Sequence, residues 1–283
     1  MPDIVGRLPP GIPAATSHTT PQRRARNPPS WWYLSTMTSS GDAAIRHPRR
    51  WVLTMDWEDL LFAHWPVEPE VLQRLLPRTD PPLELDVRDG VGWIGVVPFR
   101  MSRVRPRWLP LIPGTHTFPE LNVRTYVRVG GLPGVWFFSL DATSRLAVRV
   151  ARWTYHLPYF DADIRLETDS QTGTTRYRSR RTHRGGGQAL LDVSYSPLGT
   201  PQPAVAGSLE VWLTERYRLF AADRRGRVWR GEIHHEPWPL QRARAEFHIL
   251  DMTRWLGLDL PQQPPHLLHA RHLSVHAEAL VRC

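Results

Sequence analysis

The segment ELNVRTYVR, residues 120–128, alternates polar and apolar side chains with the period of a β-strand. Two interpretations remain open: the polar face meets water, or it lines an internal pocket. In the pocket interpretation, a partly desolvated Glu120 would act as a general acid or base. Arg124 would hold a carboxylate or phosphate through paired hydrogen bonds, with Asn122 between them. The sequence therefore offers one strand that carries both an acid–base group and an anion-binding group.

A second candidate is the segment WTYHLPYF, residues 153–160, where a helical pattern stops at Pro158 among four aromatic residues and a histidine. Tyr155 and Tyr159 would supply hydroxyl groups to a pocket beside this break. A helix end packed into the core is the simpler alternative. The segment therefore predicts a chain reversal. It predicts a pocket corner only if the polar face of residues 120–128 is turned toward it.

Histidines form the third group of candidates. Adjacent strand residues point to opposite faces, so only one of His234 and His235 can face a pocket, and the sequence does not say which. We take His234 as a ligand-binding candidate, together with His64, which lies between aromatic residues. A metal site that combines one of this pair with Glu120 is a weak alternative, and we predict no metal and no cofactor.

Composition excludes several kinds of chemistry. The chain has 283 residues and a formal net charge of +9, and all 36 basic residues are arginine, so no lysine can form a Schiff base. The only cysteine is Cys283, which excludes an internal disulfide and favours a reducing, cytoplasmic location. No apolar run is long enough to span a membrane, so we expect a soluble protein without a membrane partner. The arginines are dispersed outside any nucleic-acid-binding motif, so we do not expect nucleic acid as a partner.

The chain divides into two parts. Residues 1–45 are rich in Pro, Ser, Thr and Arg and predict a disordered tail or a mis-assigned start, while 46–283 predict a single domain. Helices are predicted at 67–77, at 143–157 and at 208–223, with Ser208 as a cap of the last. Hairpins are predicted with turns at Asp89-Gly90 and at 130–134, and further strands follow to residue 282.

This order of elements predicts a mainly β (α+β) fold. Hairpins dominate, and the regular strand–helix alternation of Rossmann and TIM-barrel folds is absent. An antiparallel barrel or a strongly curled sheet with a few helices outside fits best.

The chain resembles the YqjF-like family of uncharacterised bacterial proteins over about residues 51–282. The segments that carry the resemblance are WEDLLFAHWPV, LELDVRDGVGWIGVVPFRM, FPELNVRTYVR, GVWFFSLDA, GSLEVWLTERYRLF and HHEPWPLQRA. This family is in turn similar to the acetoacetate decarboxylase-like superfamily, which implies a cone-shaped antiparallel β-barrel with helices packed outside.

The superfamily resemblance rests mainly on FSLDATSRLAVRVARWTYHLPYFDADIRL, residues 138–166. There Asp141 ends a strand, Ala151-Arg152 matches a small residue with arginine, and the lysine pair that supplies the Schiff base is replaced by Tyr159 and Phe160. The resemblance implies a pocket corner whose covalent catalyst is absent. It also implies that Glu120 supplies the pocket acid and that Arg152 joins Arg124 in holding a ligand.

From these observations we expect a barrel that binds a small carboxylate, with non-covalent acid–base catalysis by Glu120. The alternative is a non-catalytic binding or sensing protein on the same barrel. The sequence leaves open whether the chain forms a homo-oligomer.

Overall fold

The structure is a computed structural model that describes residues 50–108 and 116–283, so the predicted tail at 1–45 lies outside the described residues. Within the described ranges no helix is long and apolar enough to cross a membrane.

Strands make up most of the described chain, as the sequence predicts for a mainly β fold. The strands are β1 Trp51–Val67, β2 Glu84–Leu85, β3 Gly92–Pro106, β4 Phe118–Val129, β5 Leu132–Ala142, β6 Tyr159–Thr168, β7 Thr175–Arg181, β8 Leu190–Gln202, β9 Arg218–Ala222, β10 Val228–His234, β11 Leu240–Asp251, β12 His266–Glu278 and β13 Val281–Arg282. The helices are α1 Pro69–Leu75, α2 Arg145–Tyr155, α3 Leu209–Thr214 and a 3-10 turn at Arg254–Leu256.

The strands belong to one sheet whose pairings return to their starting point. Neighbours run in the order β5, β6, β7, β8, β11, β12, β1, β3 and β4, and β4 pairs with β5. Most of these pairs are antiparallel, but β5 and β6 are parallel and are connected by α2. This crossover helix therefore lies next to the strands that carry the candidate residues.

Local chemistry accounts for the β4–β5 hairpin. Gly130 and Gly131 both have positive φ, 56° and 80°, which is the backbone of a two-residue turn that suits the twist of a hairpin. The register that follows sets Glu120 opposite Ala142 and Asn122 opposite Leu140. The hairpin predicted from the sequence is confirmed, and its turn consists of Gly130 and Gly131 and is shorter than the predicted 130–134.

Two other predictions need correction. The turn at Asp89-Gly90 forms and is closed by an antiparallel bridge between Arg88 and Val91, but the pairing goes no further, because β2 pairs with β4 and not with β3. The helix predicted at 208–223 ends at Thr214, because Arg218–Ala222 pair with β10 and β5. Pairing with strands distant in sequence overrides the local helical pattern. The cap at Ser208 is confirmed, since its hydroxyl accepts from the Val211 N–H at 3.3 Å.

The two faces of β4 meet different surroundings. Leu121, Val123, Val127 and Val129 are buried in one apolar cluster with parts of β1, β3, β7 and β8. Glu120 and Asn122, on the other face, are also buried. The alternation that the sequence predicts is therefore present, and the polar face is turned away from bulk water.

A buried ion pair joins β5 to β7. The Arg181 Nε and Nη2 atoms donate to the two Asp141 carboxylate oxygens at 2.6 and 2.7 Å, and both side chains are almost fully buried. The guanidinium carbon lies 4.1 Å from the Phe160 ring centroid and 4.7 Å from that of Trp255. The Asp141 carboxylate at the end of β5 is therefore already engaged by Arg181 within the fold.

We predict that Arg181→Ala lowers the free energy of unfolding by about 3–5 kcal/mol, because it leaves the Asp141 charge buried without its partner. Chemical denaturation measures this. The matched control is Arg180→Ala on the same strand, where the exposed side chain should cost less than about 0.5 kcal/mol. Equal small losses in both variants would contradict the structural role of the pair.

Candidate functional site

The polar face of β4 opens onto a cavity of about 530 Å³. Its wall is mostly apolar and comes from β1, β3, β4, β5, α2 and the segment around residues 214–238. Ten residues of the wall have polar or charged side chains, namely Glu120, Asn122, Arg124, Thr154, Tyr155, Tyr159, Thr214, Arg216, Arg218 and His235. An apolar cavity with a few convergent polar groups is the usual form of a small-molecule site.

Aromatic rings form one side of the cavity. Trp57 stacks on Trp238 with centroids 5.7 Å apart, and Phe62 meets Trp238 edge-on at 5.0 Å. Phe99 contacts Trp57 at 6.0 Å. This wall offers flat apolar surface in a fixed geometry.

Glu120 and Tyr159 form the acidic part of the cavity. The Tyr159 hydroxyl donates to Glu120 Oε2 at 3.0 Å, and Glu120 is 2% exposed. Burial raises the pKa of Glu120 to about 8, with Asp141 raising it further and the Tyr159 hydrogen bond opposing the shift. Burial also raises the pKa of Tyr159 well above its ordinary value, so its hydroxyl keeps its proton. At neutral pH the pair is therefore a carboxylic acid with a phenol hydrogen-bonded to it.

The WTYHLPYF segment builds the corner that brings Tyr159 to Glu120. His156 ends α2 with a positive φ of 52°, and the Leu140 N–H donates to the Pro158 carbonyl at 3.0 Å, which starts the parallel pairing of β5 with β6. Tyr155 and Tyr159 then line the cavity, while Phe160 turns away to pack on Arg181. The corner predicted from the sequence is therefore part of the cavity wall.

Arg124 is held in the cavity wall by a network behind it. Its Nη2 donates to the Leu213 carbonyl at 3.4 Å and to the Tyr126 hydroxyl at 3.5 Å. Tyr126 donates to the same carbonyl at 2.7 Å, so the His64 Nε2, 2.7 Å from the Tyr126 oxygen, must be the donor in that contact. Arg124 Nε is buried without a hydrogen-bond partner among the described residues.

A second arginine, which the sequence analysis missed, also reaches the cavity. Arg216 Nε donates to the Trp212 carbonyl at 2.6 Å and its Nη1 to Asp86 at 2.7 Å. The Nη2 atom is buried and has no partner within residues 50–108 and 116–283. Arg216 and Arg124 both lie near the Tyr126 ring, 4.9 and 5.8 Å from its centroid. Together they give the cavity a cationic region with unused donors.

His235 is the second residue that the sequence did not select. It lines the cavity and is 4% exposed, with its ring 5.2 Å from Trp238. Its Nδ1 donates to the Glu236 carbonyl at 2.7 Å, so Nε2 carries the lone pair. Burial lowers the pKa of His235 to about 4, which keeps the ring neutral. Nε2 is an acceptor with no donor in the part of the chain that the structure describes.

Three sequence candidates lie outside the cavity lining. His234 is the last residue of β10, and its Nε2 is 3.0 Å from Glu278 Oε1, which leaves the inward position to His235. Arg152 is on the outer face of α2, where its Nη1 is 2.9 Å from His183 Nε2. His64 lies behind Tyr126, so it positions Arg124 through that hydroxyl. Asn122, Arg124, Tyr155 and Tyr159 do line the cavity with Glu120.

The metal alternative has no support in the described ranges. Among these residues, no group of three or more His, Cys, Asp or Glu side chains is arranged to hold an ion.

The fold is that of acetoacetate decarboxylase-like proteins. An acetoacetate decarboxylase-like enzyme from Sphingomonas wittichii RW1 superposes with a TM-score of 0.57 at 12% identity, covering 82% of this chain and 92% of that one. The enduracididine biosynthesis enzyme MppR, in complex with the condensation product of pyruvate and imidazole 4-carboxaldehyde, superposes with a TM-score of 0.56 at 12% identity, over 86% and 92% of the two chains.

The chain belongs to the DUF2071 family, described as an uncharacterized conserved protein (COG2071), which it matches over residues 54–274. It is 44% identical over 225 residues to the uncharacterized protein YqjF of Bacillus subtilis (strain 168), which covers 80% of this chain and 90% of the relative. The family resemblance seen in the sequence is thus confirmed.

We predict that Glu120→Gln changes how stability depends on pH. The raised pKa means that the folded protein keeps a proton that the unfolded chain releases near its ordinary value of 4.5. The contribution of Glu120 to wild-type stability therefore falls as pH rises from about 4.5 to about 8, by several kcal/mol at most. The glutamine variant lacks this dependence, so its stability relative to wild type should increase across that range.

Denaturant unfolding at pH 5, 6, 7 and 8 measures this difference. Glu84→Gln, at an exposed position, serves as the control and should show no such trend. A constant difference between Glu120→Gln and wild type across the series would mean that Glu120 is ionised in the folded protein.

Proposed function

We propose that the cavity binds a small carboxylic acid and that Glu120 transfers a proton to or from it without covalent catalysis. The observation that carries this proposal is the pairing of two features in one apolar cavity: a buried carboxyl group hydrogen-bonded by Tyr159, and arginine donors that have no partner in the described chain. The first is suited to acid–base chemistry and the second to holding an anion.

The chemistry follows from the protonation states. At neutral pH most of the Glu120 carboxyl groups hold a proton, because their pKa is about 8. Oε2 already accepts from Tyr159, so the other oxygen is free to carry the proton and donate it to a ligand carbonyl or enolate. The resulting carboxylate would keep the Tyr159 hydrogen bond, and reversal of the step would return the proton. A lysine Schiff base plays no part, since the sequence has no lysine.

The arginine region supports the carboxylate part of the proposal. Arg124 Nε and Arg216 Nη2 offer charge-assisted hydrogen bonds that no described residue uses. Arg216 is fixed by Asp86 and by the Trp212 carbonyl, so its free nitrogen is already oriented. A ligand carboxylate would give both nitrogens an acceptor at little cost in side-chain ordering.

A keto acid is the substrate class that we propose by analogy. MppR, which shares the fold, is described in complex with pyruvate. That likeness is at the level of fold, and the proposed reaction rests only on Glu120 and Tyr159.

A non-catalytic ligand-binding or sensing protein is the second candidate. It is favoured by the predominantly apolar wall and by the presence of Tyr159 and Phe160 where the resemblance places the lysine pair. In this alternative the Glu120 carboxyl only hydrogen-bonds the ligand. We also propose that the closed run of strand pairings forms the cone-shaped barrel that the resemblance implies, and that the protein is cytoplasmic.

We predict that the protein accelerates exchange of the C3 protons of a 2-keto acid in D₂O, because Glu120 can donate a proton to the carbonyl oxygen while a water molecule takes the C3 proton, and the reverse step returns a deuteron to C3. Nuclear magnetic resonance would follow this exchange for pyruvate and for 2-oxooctanoate at pH 7. Glu120→Gln should slow the protein-dependent rate by about 10²-fold or more. Arg216→Met should weaken binding of the acid by about tenfold or more, through loss of a charge-assisted hydrogen bond.

The control is Arg152→Ala, which removes a guanidinium outside the cavity and should leave both the rate and the affinity unchanged. Binding without accelerated exchange would support the non-catalytic alternative. Absence of binding by either acid in calorimetry would overturn the proposal.

A further inference from the structure

We propose that the ligand is an amphiphilic carboxylic acid of about eight or more carbon atoms, with an apolar body and a hydroxyl group that donates to His235 Nε2. This inference rests on the proposed function, since it assumes that the cavity holds a carboxylate, and it narrows the class of acid.

The size of the cavity argues for a long apolar body. A volume of about 530 Å³ lies in the range that encloses drug-sized ligands. A water molecule in the liquid takes about 30 Å³, so an acid of three or four carbons would fill only a small part of the space. The aromatic wall of Trp57, Phe62, Phe99 and Trp238 would then remain in contact with water. A longer apolar chain covers that wall and gains free energy in proportion to the area it buries.

The cavity entrance is also apolar. Leu146 and Val150 of α2 line the cavity and are 54% and 51% exposed, so they form part of its rim. They are one helical turn apart and present a continuous apolar path from solvent to the interior. A rim of this kind favours entry of an apolar chain over entry of a fully polar molecule.

The hydroxyl group of the proposed ligand is inferred from His235. Because Nδ1 donates to the Glu236 carbonyl, the Nε2 atom of this cavity-lining residue can only accept a hydrogen bond, and it is buried where a missing hydrogen bond costs free energy. The matching ligand group is a donor. An ammonium group would be repelled by the nearby arginines that line the same cavity, whereas a hydroxyl group carries no charge. Asn122 Oδ1, also buried and without a partner in the described chain, offers a second acceptor on the same wall.

The test uses calorimetric titration at pH 7 with acetate, octanoate and the 2-, 3- and 8-hydroxy derivatives of octanoate. Two variants distinguish the roles of the two ring nitrogens of His235. His235→Asn keeps a donor at the Nδ1 position and removes the acceptor at the Nε2 position. His235→Gln keeps an acceptor near the Nε2 position and loses the bond to Glu236. Thermal unfolding of both variants confirms that they fold, and the comparison of ligands in wild type needs no variant.

We expect octanoate to bind at least tenfold tighter than acetate, and one hydroxy derivative to bind about tenfold tighter than octanoate. The gain in affinity of the hydroxy derivative over octanoate should persist in His235→Gln and disappear in His235→Asn. The inference is overturned, with the proposed function intact, if acetate binds as tightly as octanoate, if no hydroxy derivative gains affinity, or if the gain survives in His235→Asn. Failure of every acid to bind would instead overturn the proposed function.

Discussion

The burial of the Glu120 carboxyl group is the constraint on which the rest of the site depends. An ionised carboxylate in an apolar cavity is strongly disfavoured, so the group is held as an acid, with Tyr159 donating to one of its oxygens. That contact requires β4 to face the chain reversal after α2, which the parallel pairing of β5 and β6 provides. The ion pair of Asp141 with Arg181 fixes the end of β5 beside it. The sheet, the crossover helix and the acid are therefore parts of one arrangement.

The cationic groups of the cavity come from two parts of the chain. Arg124 comes from the same strand as Glu120, whereas Arg216 comes from the segment between α3 and β9 and is fixed by Asp86. Both lie beside Tyr126, whose hydroxyl accepts a hydrogen bond from His64 and donates one to the Leu213 carbonyl. This network leaves two guanidinium nitrogens without described partners, and both belong to residues that line the cavity. An acid at one position and unused cationic donors at another define a site for a polar-ended molecule with an apolar body.

Much of this arrangement could be predicted from the sequence where the signal is local. The alternation of residues 120–128 and the Gly130-Gly131 turn are short-range patterns, so β4, its hairpin and its polar face followed directly. Arg216 was missed because its segment has helical periodicity, and only pairing of β9 with β5 and β10 ends the helix at Thr214. His235 was missed because the face of two adjacent histidines depends on where β10 ends, which distant pairing with β12 decides. Arg152 was misplaced because the superfamily pattern matches its position on α2 but not the direction of its side chain.

The most direct test of this account is the titration of Glu120 itself. Carbon-13 nuclear magnetic resonance of protein labelled at the glutamate carboxyl carbons, recorded from pH 4 to pH 9 for wild type and Glu120→Gln, assigns one resonance by its absence in the variant. We predict that this resonance titrates near pH 8 and moves to higher pH in Tyr159→Phe, where the opposing hydrogen bond is lost. A midpoint below pH 6 would show that Glu120 is ionised at neutral pH and would contradict its role as the acid of the cavity.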